Sequence, residues 1–105
     1  MSDYQAVNIV KKANIYFDGK VTSRTIKLAN GEMLTLGIIL PGEYEFNTGK
    51  KEIMTMQAGS ADVLLAGEKE WVSYQEGQQF EVPANSSFKI KTDGVVDYIC
   101  EFVGN

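Results

Sequence analysis

The sequence predicts an all-β protein built as one small β-barrel of the jelly-roll type. Turn signals that contain glycine recur along the whole chain, among them Asp18-Gly19, Asn30-Gly31, Pro41-Gly42 and Asp93-Gly94. The segments between these turns have the length of strands and are rich in Val, Ile, Thr, Tyr and Phe, which is the pattern of a sandwich or barrel. No stretch has the length and periodicity of a long helix.

The chain has room for one domain. It holds 105 residues, of which 44% are apolar, and a chain of this length forms one hydrophobic core. We predict an N-terminal arm over residues 1–13 and the barrel domain over residues 14–105. The segment QAVNIVKKANIY near the start departs from the strand pattern. It forms either one or two helical turns or an arm that lies across the barrel.

The segment LTLGIIL, from Leu34 to Leu40, is apolar on both strand faces. Such a strand is expected to be covered on both sides, by a second sheet or by a partner subunit. A homodimer would supply that cover, and we predict one.

Alternation with a period of two is clearest in two later segments. In SFKIKT, Phe88 and Ile90 are expected to face inward and the lysine after each of them outward. In DYICEFV, the same spacing places Tyr98, Cys100 and Phe102 on one face. Cys100 is therefore interpreted as a small buried side chain rather than as a reactive thiol.

Composition argues against several kinds of partner. Ten Lys and Arg against fourteen Asp and Glu give a net charge of −4, which repels a phosphate backbone, so nucleic acid is not an expected partner. The single cysteine cannot form an internal disulfide, and the chain has no leader-like segment and no apolar run of about 18 residues. We expect a cytoplasmic protein with no membrane partner.

One set of spacings resembles the first motif of the cupin fold. Five residues separate Gly37 from Glu43, one separates Glu43 from Glu45, and six separate Glu52 from Gly59. The cupin motif normally carries two histidines and a glutamate that hold a metal. Six residues also separate Glu45 from Glu52, where the motif allows fewer.

The second cupin motif is matched only in part, by the five residues between Gly77 and Pro83. The chain contains no histidine, so the usual metal triad cannot form. An all-carboxylate Mg²⁺ or Mn²⁺ site from Glu43, Glu45 and Glu52 would lack the imidazoles that favour a transition metal. We predict that no metal or other cofactor is used, and the missing histidines argue against a metal-dependent cupin isomerase or dioxygenase.

Four segments of the chain carry a more specific resemblance. They are YFDGKV (16–21), TLGIILPGEYEF (35–46), EKEW (68–71) and EGQQFEVPANSSFKIK (76–91). In order and spacing they resemble the bacterial pyrimidine/purine nucleoside phosphorylase family, which consists of small one-domain cupins. The resemblance extends from about Asn14 to Phe102.

This resemblance implies an enzyme that uses inorganic phosphate to split purine and pyrimidine nucleosides into a free base and ribose 1-phosphate, without a metal. Nucleosides and phosphate would be its partners. The alternative is a non-catalytic, metal-free cupin that holds a small ligand such as a nucleoside or sugar. The turn NGEML (30–34) departs from relatives that often carry basic residues there, and it would weaken activity if that turn binds phosphate.

Phosphorolysis needs a cation or a cluster of amides to hold phosphate beside C1′ of the sugar. Arg24 is the only arginine in the chain, and its planar guanidinium suits bidentate phosphate binding. Lys20 is the second candidate for this role.

Glu52 is the candidate catalytic residue. If alternation holds, it points into the barrel beside Met54 and Met56. It could accept hydrogen bonds from ribose hydroxyls or, with a pKa raised by burial, protonate the leaving base, and we favour hydroxyl binding.

Aromatic side chains are the candidates for base binding. Glu43 and Tyr44 lie on opposite strand faces, so only one of them can line the pocket, and we favour Tyr44. Phe88 and Tyr98 complete a predicted wall, which would accept purines and pyrimidines alike because every base has a π-face.

Overall fold

Two antiparallel β-sheets face each other across an apolar core in the computed structural model, which describes residues 3–104. In that range the strands are β1 (Asn8–Ile9), β2 (Asn14–Tyr16), β3 (Val21–Lys27), β4 (Met33–Ile39), β5 (Gly42–Asn47), β6 (Lys51–Ala58), β7 (Ala61–Leu65), β8 (Val72–Tyr74), β9 (Gln79–Val82), β10 (Ser87–Thr92) and β11 (Val96–Val103). A short 3₁₀ turn, Phe17–Gly19, joins β2 to β3.

The larger sheet has the strand order β1-β3-β4-β11-β6-β9, and β2 also pairs with β3. The smaller sheet has the order β5-β10-β7-β8. The prediction of an all-β, cupin-like fold is confirmed. Residues 3–104 include no helix that is long and apolar enough to span a membrane.

The core lies between the two sheets and follows the period of two along each strand. The larger sheet contributes Ile39, Met56 and Val82, and the smaller sheet contributes Val63 and Ile90. Each of these side chains is at most 2% exposed. The inner face of the strands that form this core is therefore defined, and a polar side chain on that face points toward the interior.

The alternation predicted for the two later segments is confirmed. Phe88 and Ile90 on β10 are buried, as are Tyr98 and Cys100 on β11. Phe102 is partly buried and packs against the same core.

The N-terminal segment is extended where the structure describes it. Asn8 and Ile9 pair with Lys27 and Ile26 of β3, and β2 pairs with the other half of β3. Both short strands complete the backbone hydrogen bonds of β3, which would otherwise form a long exposed edge. The described part of this segment is therefore extended and not helical, while the division into an arm over residues 1–13 and a barrel domain over residues 14–105 stays a prediction.

Strand β4 contains most of the doubly apolar segment. Its inner face is buried, whereas Leu36 on the outer face is 37% exposed and Ile38 is half-buried. On β2, Ile15 is 66% exposed on the same outer surface. The second sheet thus covers the inner side of β4, Leu34 on the outer side is buried within the chain, and the homodimer that would cover the exposed rest of the outer side stays a prediction.

Candidate functional site

A cavity of about 170 Å³ lies between the two sheets. The larger sheet lines it with polar side chains, namely Ser23, Thr35, Glu52, Tyr98 and Cys100. The opposite side is aromatic, with Phe46 and Phe88 on the smaller sheet and Tyr16 from β2 at the edge. The cavity therefore has one wall that can form hydrogen bonds and one that offers flat apolar surface.

Strand register assembles the polar wall. Ser23 lies opposite Gly37 on β4, and Gly37 lies opposite Tyr98 on β11. One step along the sheet, Thr35 lies opposite Cys100. Residues that face each other across antiparallel strands project from the same side of the sheet, so these groups from three strands all reach the interior.

Tyr98 lies across the backbone of β4. A Cβ atom on Gly37 would be 2.5 Å from both Cζ and Oη of Tyr98, so the ring occupies space that only a glycine leaves free. The phenol meets Ser23 on the far side, and the Ser23 hydroxyl oxygen accepts a hydrogen bond from Asn14 Nδ2 at 3.1 Å. Burial, and then the nearby Cys100, raises the pKa of Tyr98 well above its usual range, so the phenol is a neutral donor at physiological pH.

Glu52 projects into the cavity from β6, as the alternation predicted. Burial raises the pKa of this carboxyl, and the neighbouring Cys100 side chain partly opposes that rise. A carboxylate is an acceptor with about four lone-pair sites. It can therefore accept hydrogen bonds from hydroxyl groups of a ligand.

The aromatic wall is a connected set of rings. Phe46 and Phe88 are stacked, with ring centroids 5.5 Å apart and an interplanar angle of 27°. Tyr16 meets Phe46 edge to face at 6.3 Å, and Phe80 supports Phe88 from behind at 5.8 Å. The near-parallel rings of Phe46 and Phe88 thus give this side of the cavity an aromatic surface on which a planar ligand can stack.

Tyr44 is buried but does not line this cavity. Its hydroxyl donates to the carbonyl oxygens of Leu40, at 2.9 Å, and Pro41, at 3.1 Å. The phenol thus stabilises the turn before β5 by hydrogen bonds, and Phe46, two residues later, lines the cavity. Substrate binding by Tyr44 stays a prediction, and the position of Tyr44 outside the cavity argues against it.

The structure brings neither predicted cation to the cavity. Arg24 lies on the outer face of β3, next to the inward-facing Ser23, and its Nη1 donates to the carbonyl of Lys11 at 2.5 Å. Lys20 is exposed after the 3₁₀ turn. Phosphate binding by either residue stays a prediction.

Another cation, Lys50, lines a separate surface depression that shares one residue with the cavity. Phe102 lines both the cavity and a neighbouring surface depression, and Lys50 lines that depression. Asn47, at the end of β5, lines the cavity itself and offers an amide donor. The end of β5 therefore brings an amide to the cavity, and the segment that follows it carries a lysine in the adjoining depression.

Sequence reasoning found Glu52, Phe88 and Tyr98 but missed Ser23, Thr35 and Asn47 on the cavity. Thr35 gave a signal, since it is the only polar residue in the apolar segment LTLGIIL. A polar residue at an inner position of such a strand indicates a polar cavity or a buried hydrogen bond.

The three carboxylates considered for an all-oxygen metal site are not assembled. Glu43 and Glu45 are exposed on β5, on the face opposite Tyr44 and Phe46, whereas Glu52 is in the cavity. Residues 3–104 contain no group of three or more His, Cys, Asp or Glu side chains that could hold a metal ion.

Comparison with known proteins gives one consistent family. Residues 11–102 match the family model described as pyrimidine/purine nucleoside phosphorylase. A protein of that name from Clostridioides difficile (strain 630) is 57% identical over 105 residues, which is 100% of both chains. Another from Syntrophotalea carbinolica is 53% identical over 103 residues, which is 98% of this chain and 99% of the relative.

Solved structures agree on the architecture. A protein of unknown function from Acinetobacter sp. ADP1 superposes with a TM-score of 0.94 at 39% identity, covering 96% of this chain and 98% of that one. The Clostridium difficile EutQ protein superposes with a TM-score of 0.66 at 14% identity, covering 78% of this chain and 67% of that one. At that identity the second likeness concerns the fold alone.

Proposed function

Because this chain belongs to the pyrimidine/purine nucleoside phosphorylase family, we propose that it cleaves both purine and pyrimidine nucleosides with inorganic phosphate. The products are the free base and α-D-ribose 1-phosphate. The proposal includes no metal and no organic cofactor.

The observation that supports this most is the cavity with two unlike walls. A nucleoside has a sugar rich in hydroxyl groups and a flat base with a π-face. Glu52 and its polar neighbours match the first part, and the stacked pair Phe46 and Phe88 matches the second. Stacking does not depend on the identity of the base, so a wall of this kind suits purines and pyrimidines alike.

In the reaction, a phosphate oxygen forms a new bond to C1′ while the bond between C1′ and the base nitrogen breaks. The electron pair of the broken bond passes to the base, which takes up a proton from dihydrogen phosphate or from water. Positive charge develops on the sugar ring before the new bond is complete. Catalysis therefore depends on orientation and on negative charge near the sugar.

We assign Glu52 the central role. Its carboxylate accepts hydrogen bonds from ribose hydroxyls and supplies negative charge near the developing cation. The neutral Tyr98 phenol donates to a sugar oxygen, and Phe88 with Phe46 stacks on the base. The candidate phosphate ligands are Arg24 and Lys20, the cations that the sequence suggests, and Lys50, which lines a depression that shares Phe102 with the cavity.

The test combines purified, chelator-treated protein with uridine or inosine, each with and without phosphate, and follows free base and ribose 1-phosphate. We expect release of both products from both nucleosides only when phosphate is present. Glu52→Gln should lower kcat/KM by roughly 10- to 100-fold, because a hydrogen bond to a charged group contributes about 1.5–3 kcal/mol. Glu45→Gln is the matched control, since that side chain is exposed on the opposite face of β5.

Three outcomes would contradict the proposal. Release without phosphate would indicate hydrolysis, and release abolished by the chelator would indicate a metal. Binding of uridine or inosine in calorimetry without any product would indicate a module that only holds the ligand.

A further inference from the structure

We propose that Asn14 is a positioning residue for the nucleoside site. Its side-chain amide donates a hydrogen bond to the Ser23 hydroxyl oxygen and so leaves the Ser23 proton for an oxygen of the bound nucleoside. The hydrogen bond between these two side chains is a feature of the fold. Its consequence for binding and turnover rests on the function proposed above.

Strand pairing places Asn14 on the cavity side of β2. It lies directly opposite Ser23 in the pairing of β2 with β3, so the two side chains project from the same side of the sheet. Its neighbours Ala13 and Ile15 line the depression on the outer face, whereas Tyr16, two residues later, lines the cavity. Asn14 is half-buried on the inner face and reaches the cavity only through Ser23.

The Asn14 amide is held by two hydrogen bonds to β3. Its Nδ2 donates to Ser23 Oγ at 3.1 Å and to Thr25 Oγ1 at 3.2 Å. An amide nitrogen carries two hydrogens and accepts none, so neither hydroxyl gives its own proton to this nitrogen. Rotation of the amide would break both bonds at once, which fixes the direction in which each hydroxyl is approached.

Ser23 connects this pair to the cavity. Its side chain is 4% exposed and lines the cavity. A hydroxyl has one proton and two lone pairs, and the lone pair that accepts from Asn14 leaves the proton for another acceptor. Ser23 lies opposite Gly37, over which the Tyr98 phenol lies. Two hydroxyl donors thus share the cavity with the Glu52 acceptor, a set that matches the several oxygens of a nucleoside.

A substitution that keeps the shape of Asn14 would reverse the hydrogen bond. Asn14→Asp replaces the two donors by a carboxylate, which can only accept. The Ser23 hydroxyl would then donate to that carboxylate, and its proton would no longer be available in the cavity. Asn14→Ala instead leaves the hydroxyl free to rotate. If Asn14 served packing alone, the variant of similar shape would be the milder of the two, so their order separates the two roles.

The test measures uridine binding by calorimetry without phosphate, and kcat and KM for uridine with phosphate. We expect Asn14→Asp to raise both Kd and KM about tenfold and Asn14→Ala about threefold, because one neutral hydrogen bond to the ligand is lost or weakened. The value of kcat should change less than about threefold, as it does when binding is lost equally from substrate and transition state. Asn8→Asp is the matched control, since Asn8 also pairs with β3 but is exposed.

A double-mutant cycle separates orientation of Ser23 from the effect of a new charge. Ser23→Ala removes the proton itself and should raise Kd for uridine about tenfold. In that background Asn14→Asp should add less than about twofold, because the group through which it acts is gone. Urea unfolding checks each variant. If Asn14→Asp does not fold, the cycle is made with Asn14→Ala, and the double variant should bind uridine no more weakly than Ser23→Ala.

Unchanged uridine binding in Asn14→Asp, a milder effect than in Asn14→Ala, or a full effect in the Ser23→Ala background would overturn the proposal. A wild type that binds no uridine would overturn it as well. Binding that Asn14→Asp weakens, in a protein that releases no base, would support the role of Asn14 and refute the proposed function. Turnover with the same KM in wild type and Asn14→Asp would leave the function standing and refute the role of Asn14.

Discussion

The ring of Tyr98 occupies the space above Gly37, so that a Cβ atom at residue 37 would be 2.5 Å from the phenol oxygen. This pair links the backbone of β4 to the polar wall of the cavity. The absence of a side chain on Gly37 lets Tyr98 cross β4 and reach Ser23. A glycine inside a strand usually weakens it, and here close approach of another side chain explains its presence.

Gly37→Ala should therefore damage both the fold and the site. The new methyl group would also lie 2.5 Å from the carbonyl oxygen of Thr22, so the backbone as well as Tyr98 must shift. We expect a loss of about 1–3 kcal/mol in the free energy of unfolding, measured with urea, and a loss of activity. Gly94→Ala is the control, because a Cβ there meets open space. Equal stability of the two variants would refute this interpretation of Gly37.

Glu52 should make the stability of the protein depend on pH. Its pKa is raised in the folded state, mainly by burial, so the folded protein binds the proton more tightly than the unfolded chain. Stability is then lost as pH rises from about 4.3, the ordinary glutamate value, through the raised folded value. We expect Glu52→Gln to gain stability relative to the wild type across this window. Thermal unfolding of both proteins from pH 3 to pH 8 measures this difference in stability. A difference that does not change with pH would contradict the raised pKa of Glu52.

Removing the hydroxyl group should have different effects at Tyr98 and Tyr44: we expect a loss of activity at Tyr98 and a loss of stability at Tyr44. Tyr98→Phe removes a neutral donor from the cavity, so kcat/KM should fall about fivefold to tenfold, since a hydrogen bond contributes about 1 kcal/mol. Tyr44→Phe removes the bonds to the turn carbonyls and should cost about 1 kcal/mol of stability with KM nearly unchanged. A higher KM for nucleoside in Tyr44→Phe would instead support the substrate contact predicted from the sequence.

The phosphate ligand can be identified by comparing single alanine variants of the three cations. Lys50 lines a depression that shares Phe102 with the cavity, whereas Arg24 lies on the outer face of the sheet. We therefore expect Lys50→Ala to raise KM for phosphate about tenfold with little effect on KM for nucleoside. Arg24→Ala and Lys20→Ala should each change KM for phosphate less than about threefold. A larger effect of Arg24→Ala would favour the ligand predicted from the sequence.

The homodimer can be tested on the outer face of β4. Leu36 and Ile15 are exposed there, and a second copy of the chain would cover them. We expect light scattering to give twice the chain mass for the wild type and the single-chain mass for Leu36→Lys. Val95→Lys, at an exposed apolar residue in the turn before β11, is the control. A monomer mass for the unmodified protein would refute the dimer.

Some of the site could be predicted because it depends on local periodicity. The inward orientation of Glu52, Phe88 and Tyr98 follows from alternation within one strand, which is a property of extended backbone and needs no knowledge of neighbouring strands. The same reasoning predicted the all-β class, because glycine turns and β-branched segments are local signals.

The remaining features depend on which strands become neighbours and in what register. Ser23, Thr35 and Cys100 are far apart in the sequence, and only the pairing of β3 with β4 and of β4 with β11 gathers them on one wall. Tyr44 is buried with its hydroxyl bonded to the preceding turn, and Phe46, on the same strand face, lines the cavity instead. The sequence by itself determined which face of each strand is buried. The tertiary structure decided which buried side chains meet, because register between distant strands is set by the packing of the whole core.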